Sequence, residues 1–143
     1  MRAMGIDLGA KRIGIAISDF TGTIASPHSV LERARSVRFD HQRIAKIVAD
    51  EEVEIVVVGL PLTMSGVRSI AAKAATAEAR RLATVLTVPV EMFDERLTTV
   101  TADRVLREAD ISASERRRYV DKVAAAVLLQ TWLDRRGSRT SET

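Results

Sequence analysis

The sequence predicts an α/β protein with a mixed five-stranded sheet flanked by helices. Apolar and small residues alternate with a period of two through residues 4–18, which indicates two strands joined by a tight turn. The run 55–60 is almost entirely β-branched, as is typical of a strand buried on both faces. Apolar residues at helical spacing flank this run, so we expect crossover helices to link the later strands.

The predicted order of elements is βββ-α-β-α-β-α-α. Three strands, over about 2–9, 12–18 and 24–31, form an antiparallel meander, and Pro27 indicates an edge strand or a bend in the third. The later elements are a helix over 37–52, a strand over 55–60, a helix over 70–86, a strand over 87–93, a helix from Thr98 or Thr99 to 109 and a last helix over 112–136.

The residues of one loop, and those that follow the last helix, predict how these two segments behave. The Gly, Ser and Thr content of 62–69, directly after a buried strand, indicates a mobile flap. Gly137 is predicted to end the last helix. We therefore expect one domain over 1–137 and a disordered polar tail over 138–143.

Composition and charge narrow the classes of protein. With 29% charged and 46% hydrophobic residues, no apolar run of membrane-spanning length and no cysteine, the chain is expected to be cytoplasmic and to lack thiolate metal sites. The only histidines, His28 and His41, argue against a histidine-rich zinc site. The net charge of +3 is gathered partly in pairs and triplets such as Lys11-Arg12 and 116–118, which indicate contacts with phosphates.

Asp7 is the anomaly of the first strand. A carboxylate in an apolar strand is costly to bury unless it is paired, hydrogen-bonded or bound to a metal. Three interpretations are open: a metal-binding acid of a nuclease, the phosphate-binding hairpin of an actin-like or sugar-kinase-like ATPase, and a structural Asp that accepts from turn amides.

Two further acids extend this anomaly. Glu95, with Asp94 beside it, follows the fifth predicted strand, and helical spacing puts Asp121 on the face of Ala125 and Leu128. Three converging carboxylates would repel one another unless a cation neutralised them, and oxygen ligands favour Mg²⁺ or Mn²⁺. The alternative for Asp121 is an ordinary ion pair with a neighbouring arginine.

Four stretches of sequence carry a resemblance. They are GIDLGAKRIG at 5–14, VGLPL at 58–62, DERLTT at 94–99 and DKVAA at 121–125, which continues to Leu129-Gln130. In this order they closely resemble the YqgF/RuvX family of ribonuclease H-like nucleases, and the resemblance spans all but the tail. The loop departs from the family's usual Asn-Met-Asp-Gly-Thr, because residues 63–67 are TMSGV, and Thr101 stands where the family often has Glu.

The resemblance implies a ribonuclease H-like fold in which Asp7, Glu95 and Asp121 are the catalytic, metal-binding acids. It implies two substrates assigned to the family, precursor 16S ribosomal RNA and the Holliday junction. A junction resolvase is expected to be a symmetric homodimer. The chain is too short for the two halves of an actin-like ATPase, whereas an inactive nucleic-acid-binding module stays open. The basic residues expected at the nucleic acid are Lys11, Arg12, Arg96, Arg117 and Arg118.

Overall fold

A computed structural model describes residues 1–61, 69–94 and 113–141, with the side chains of the last helix described over 123–137. Five strands form one sheet in this part of the chain: β1 (Ala3–Leu8), β2 (Arg12–Ser18), β3 (Ala25–Glu32), β4 (Ile55–Leu60) and β5 (Val90–Asp94). The helices described with them are α1 (Val37–Asp50), α2 (Ile70–Val85) and α3 (Ala113–Ser141).

The sheet is mixed, as predicted, and its order is β3-β2-β1-β4-β5. β1, β2 and β3 form the antiparallel meander, while β1, β4 and β5 are parallel neighbours. The register between β2 and β3 shifts between Ile15 and Ala16, where Ala16 pairs with Pro27. Pro27 therefore lies at an irregularity on an edge strand, which is where a residue without an N–H group is tolerated.

Each face of the sheet has its own core. The alternation of strand residues directs Met4 and Ile6 of β1 toward α1 and α2, where Ile44 and Leu82 are fully buried. The opposite face is covered by α3 and is built from smaller strand residues. Its buried members are Ala3, Ala16, Val57, Ala125, Leu129, Trp132 and Leu133.

Side chains at helix ends and on α3 fix the helices to the sheet. Ser36 and Ser69 are the N-caps of α1 and α2, and each hydroxyl accepts a bond from the backbone N–H three residues later. On α3, the Gln130 amide accepts from the Ala25 N–H at 2.8 Å and donates to the Thr23 carbonyl at 2.9 Å. Gln130 therefore anchors the helix to the start of β3.

Three boundaries differ from the predicted ones by two residues or more. α1 ends at Asp50, because the chain turns at Glu52, which has a φ of 55°. β5 begins at Val90, since Pro89 has no N–H to donate to the sheet. α3 continues through Gly137 to Ser141, so the prediction that Gly137 ends the helix is wrong. An isolated glycine weakens a helix by about 1 kcal/mol but does not break it.

Two predicted elements lie outside the described residues. They are the helix over 98–109 and all but the last residue of the loop over 62–69. The division into a domain over 1–137 and a disordered tail stays a prediction. Among the helices that the structure describes, none has the length and apolarity to cross a membrane.

Candidate active site

Asp7 lies one residue before the end of β1 and is half-buried. It pairs with Gly14 of β2, and its carbonyl oxygen accepts a bond of 3.1 Å from the N–H of Gly9 in the hairpin turn. Strand alternation puts Asp7 on the same face as Ala3 and Gly5, which is the face that α3 covers. The acid therefore belongs to the side of the sheet with small residues.

At Gly5, α3 packs closely against β1. A Cβ atom added to Gly5 would lie 2.8 Å from the Ala125 carbonyl oxygen and 2.8 Å from the Leu129 Cβ. Glycine is required at this position because any side chain would have to push the helix away. Ala125 is fully buried against the sheet, and its small side chain permits this close approach.

The direction of α3 relative to β1 follows from a second contact. A Cβ added to Gly22 would lie 2.8 Å from the Met1 carbonyl oxygen and 4.0 Å from a Leu133 methyl group, so Leu133 lies near the start of the chain. Since Gly5 lies against Ala125 and Leu129, earlier helix residues meet later strand residues. α3 therefore runs antiparallel to β1.

Asp121 lies on α3 one turn before Ala125. The predicted face is confirmed at two positions, since Ala125 is fully buried and Leu128 nearly so. The side chains of Asp121, Arg117 and Arg118 lie outside the described part of the helix. An ion pair between Asp121 and one of these arginines is therefore not tested.

Glu95 and Arg96 lie outside the described residues, directly after Asp94 at the end of β5. Asp94 pairs with Leu60 of β4. Phe93 packs against the core under α3, whereas Met92 packs against the opposite core. Alternation thus puts Asp94 on the α1 and α2 side of the sheet, the face opposite Asp7.

A three-acid site is only partly contained in the described structure. No group of three or more acidic or histidine side chains that could hold a metal occurs in the described parts of the chain. The predicted set is not tested by that finding, because Glu95 and the Asp121 side chain are not described. Asp7 and the approach of α3 to β1 are the described parts of the site.

The basic hairpin turn lies beside Asp7. Lys11 is exposed at the turn, and Arg12 begins β2 and is half-buried. The Lys11 carbonyl oxygen accepts a bond of 2.9 Å from the Arg33 N–H, so the Lys11 backbone is fixed by a bond that does not involve its side chain. Lys11 and Arg12 directly follow the strand of Asp7 in the hairpin, and their role in binding stays a prediction.

Sequence reasoning missed a charged cluster on the α1 and α2 side of the sheet. We call it the Arg33 cluster; its members are Arg33, Asp40, His41, Arg43 and Glu78. The Asp40 side chain is 1% exposed and that of His41 is 2% exposed. A local signal existed, because Asp40 precedes the buried Ile44 and Val48 at helical spacing and so occupies a core-facing position.

Ion pairing keeps the carboxylates of the Arg33 cluster charged. Burial raises the pKa of Asp40, but hydrogen bonds from the Ala34 N–H, Arg43 and Arg33 outweigh it, and the net pKa is lowered. Burial acts in the same direction on Glu78, where hydrogen bonds from Arg33 and His41 lower the pKa overall. The hydrogen bond to Glu78 raises the pKa of Arg33.

Comparison with known proteins agrees with this architecture. A family model described as RuvX, Holliday junction resolvase, matches residues 1–135. A protein of Myxococcus xanthus (strain DK1622) named "Putative pre-16S rRNA nuclease" is 46% identical over 134 residues, covering 94% of this chain and 88% of that protein. A protein of the same name from Syntrophomonas wolfei is 44% identical, with 94% of each chain covered.

Solved structures confirm the predicted fold. The RuvC of T. thermophilus, in complex with a Holliday junction substrate, superposes with a TM-score of 0.61 at 17% identity and covers 96% of both chains. At this identity the likeness shows the ribonuclease H-like fold alone. The family model covers nearly the whole chain, and this protein therefore belongs to the RuvX family.

Proposed function

We propose that this chain is an endonuclease that hydrolyses phosphodiester bonds in structured nucleic acid, with Asp7, Glu95 and Asp121 as its catalytic, metal-binding acids. The observation that carries the proposal is the contact of Gly5 with Ala125 and Leu129. It joins the strand of Asp7 to the helix of Asp121, although the two acids come from opposite ends of the chain. The RuvX family and the names of the relatives support phosphodiester hydrolysis.

The spacing along the two elements supports a shared site for Asp7 and Asp121. From Gly5 to Asp7 the strand advances by about 7 Å, and from Ala125 back to Asp121 the helix advances by about 6 Å. Because α3 runs antiparallel to β1, both steps go in the same direction from the Gly5 contact. Glu95 follows β5, whose end lies at the same sheet edge as the ends of the parallel strands β1 and β4.

The donor set of the proposed site fits a hard divalent cation. Three carboxylates offer oxygen ligands only, which suits Mg²⁺ or Mn²⁺. The chemistry that such ions supply is the activation of a water molecule and the stabilisation of the leaving oxygen of a phosphodiester. The task of the acids themselves is to offer carboxylate oxygens from separate elements of the fold, so that the spacing of these oxygens is fixed.

Basic residues beside the acids are proposed to hold the phosphate backbone. Lys11 and Arg12 border Asp7 on the hairpin turn. Arg117 and Arg118 precede Asp121 by one turn of α3, and Arg96 follows Glu95 in sequence. These side chains would neutralise phosphates without reading bases, as backbone contacts do.

The preferred substrate is precursor 16S ribosomal RNA, trimmed near its 5′ end in the cytoplasm. The relatives that share 44–46% identity over nearly the whole chain carry that name. The second candidate is the Holliday junction, which the family description names, and which would call for a homodimer. An inactive nucleic-acid-binding module is the third outcome.

One experiment separates these outcomes. Purified protein is incubated side by side with a precursor 16S rRNA fragment and a synthetic four-way junction, in Mn²⁺, in Mg²⁺ and in EDTA. Preferential cleavage of the RNA with either ion supports the proposal, and preferential cleavage of the junction supports the second candidate. Binding without cleavage of either substrate would leave only the inactive module.

The Asp121→Asn variant tests the acid site directly. Cleavage should fall by orders of magnitude while binding persists, and stability without metal should be unchanged or higher, because repulsion among the acids is relieved. Asp134→Asn is the matched control, since Asp134 is an exposed acid on the same helix that accepts a bond from Gln130. An active Asp121→Asn protein would overturn the three-acid site.

A further inference from the structure

The Arg33 cluster lies next to the hairpin turn that follows Asp7, on the opposite side of the sheet from α3. Its two central groups, the side chains of Arg33 and Glu78, are each only 16% exposed. Burying charged groups costs free energy that an apolar cluster of the same volume would avoid. A stability role alone is therefore a weak reason for placing these charges in the core.

The Arg33 guanidinium joins α2 to the hairpin turn. Its Nη1 and Nη2 donate to the two carboxylate oxygens of Glu78 at 2.7 and 2.8 Å, and its Nε donates to the Gly9 carbonyl oxygen at 3.0 Å. The backbone N–H of Arg33 also donates to the Lys11 carbonyl oxygen at 2.9 Å. Arg33 therefore binds the turn on both sides of Ala10.

A short route of hydrogen bonds links this guanidinium to the strand of the acid. Gly9 accepts from Arg33 through its carbonyl group and donates its own N–H to the Asp7 carbonyl oxygen at 3.1 Å. Gly9 is also packed tightly, since an added Cβ would lie 2.5 Å from the Arg12 carbonyl oxygen. A shift of Gly9 would therefore move the backbone of Asp7.

His41 and Asp40 hold the partners of the guanidinium in place. His41 Nε2 lies 2.9 Å from Glu78 Oε2, so α1 and α2 both fix that carboxylate. Asp40 accepts from the Ala34 N–H at 3.0 Å and from Arg43 at 2.6 Å, which fixes the chain directly after Arg33. Arg43 also donates to the Glu32 carbonyl oxygen, at the end of β3 and not in the hairpin turn.

We propose that Arg33, clamped by Glu78, is a positioning residue that sets the place of the hairpin turn and through it of Asp7. The inference rests on the proposed function only in assigning Asp7 to catalysis. Arg33 acts on the backbone of Asp7 through Gly9. Positioning the turn in this way requires arginine, because three N–H donors in one plane bind the Glu78 carboxylate and the Gly9 carbonyl at once. A lysine ammonium has no such planar set of donors.

The test compares two substitutions of the same kind within the cluster. Arg33→Lys keeps the positive charge but removes the planar set of guanidinium donors. Arg43→Lys is the control, because it leaves the hydrogen bonds from Arg33 to the hairpin turn intact. We expect kcat to fall by about 10- to 100-fold in Arg33→Lys, with little change in KM for the nucleic acid. Losses of this size are typical when a residue that orients a metal ligand, without binding the metal itself, is replaced. Arg43→Lys should keep kcat within about 2-fold of wild type, since a lysine retains a positive charge beside Asp40 and the bonds from Arg33 to the hairpin turn do not involve Arg43.

A second readout does not depend on activity. Amide hydrogen exchange at Gly9, whose N–H donates to Asp7, should become faster in Arg33→Lys and in Glu78→Gln than in Arg43→Lys. Unchanged exchange at Gly9, or equal losses of kcat in the two lysine variants, would overturn the proposal. If wild-type protein cleaves nothing, the proposed function fails, and the exchange at Gly9 alone then decides whether Arg33 positions the turn.

Discussion

Gly5 and Ala125 are in contact across the boundary between β1 and α3, at a distance that leaves no room for a side chain. A Cβ on Gly5 would lie 2.8 Å from the Ala125 carbonyl oxygen, which is backbone and cannot rotate away. This one contact fixes the separation of the elements that carry Asp7 and Asp121. It links the packing of the small-residue face to the geometry of the proposed site.

The first prediction follows from that contact. Gly5→Ala should lower the free energy of unfolding by about 1–3 kcal/mol, because overpacking forces the helix or the strand to shift. Cleavage should fall as well, since the shift separates the proposed acids. Urea denaturation and a cleavage assay measure the two effects.

Gly137→Ala on the same helix is the control. A Cβ there would meet nothing within 4 Å, so the substitution should raise stability by up to about 1 kcal/mol through helix propensity. A Gly5→Ala protein as stable as wild type would show that the helix is free to move away without cost.

The second prediction concerns the basic hairpin turn. Replacing Lys11 and Arg12 together with Ala should weaken nucleic-acid binding and flatten the dependence of log K on log salt by about two charges. The bond from the Arg33 N–H to the Lys11 carbonyl is a backbone bond and survives the substitution. Binding titrations at several salt concentrations measure the slope.

A double variant with Lys46→Ala and Arg81→Ala is the control, because it removes two exposed charges from α1 and α2. Its slope should match that of the wild-type protein. An unaltered slope in the Lys11 and Arg12 variant would remove the hairpin turn from the interface.

The third prediction concerns stability in acid. The Thr21 hydroxyl, followed by the N–H groups of Ile24 and Thr23, lowers the pKa of Asp19 from 3.8 to about 2. A carboxyl whose pKa is lower in the folded state stabilises the fold above its unfolded pKa, and this contribution is lost as the pH falls toward the folded pKa. Stability should therefore decline between about pH 4 and pH 2, where Asp19 becomes protonated.

Asp19→Asn should reduce that decline, and Thr21→Val should reduce it in part by removing the first donor. The lowered pKa values of Asp40 and Glu78 act in the same direction, so some pH dependence will remain. The measurement is the midpoint of urea denaturation of each protein, taken at pH values from neutral down to the acid range. A decline as steep in Asp19→Asn as in wild type would contradict the assignment.

Local patterns were sufficient to predict most of the described fold. The alternation in β1 and β2 and the β-branched run of β4 depend on burial by neighbouring layers, and Val56, Val57 and Val58 are indeed fully buried. The acid Asp7 stood out for the same reason, since a charge in such a strand needs a partner. These signals are carried by residues close together in sequence.

Long-range pairing was not visible in the same way. Glu78 has the spacing of an ordinary helix residue, and only the fold brings it to Arg33, which lies 45 positions earlier in the chain. The continuation of α3 beyond Gly137 was missed because a C-terminal glycine is a common helix end, whereas here the helix continues through it. Both misses arise where the structure of the whole chain overrides a local preference.

The position of α3 after all five described strands has a consequence for biosynthesis. Residues 1–94 contain all five described strands together with α1 and α2, so one face of the sheet can be covered before α3 leaves the ribosome. The other face, with Ala3, Ala16 and Val57, then stays open to solvent. A nascent or truncated chain would thus carry Asp7 without Asp121, and it would expose apolar surface that invites aggregation or chaperone capture.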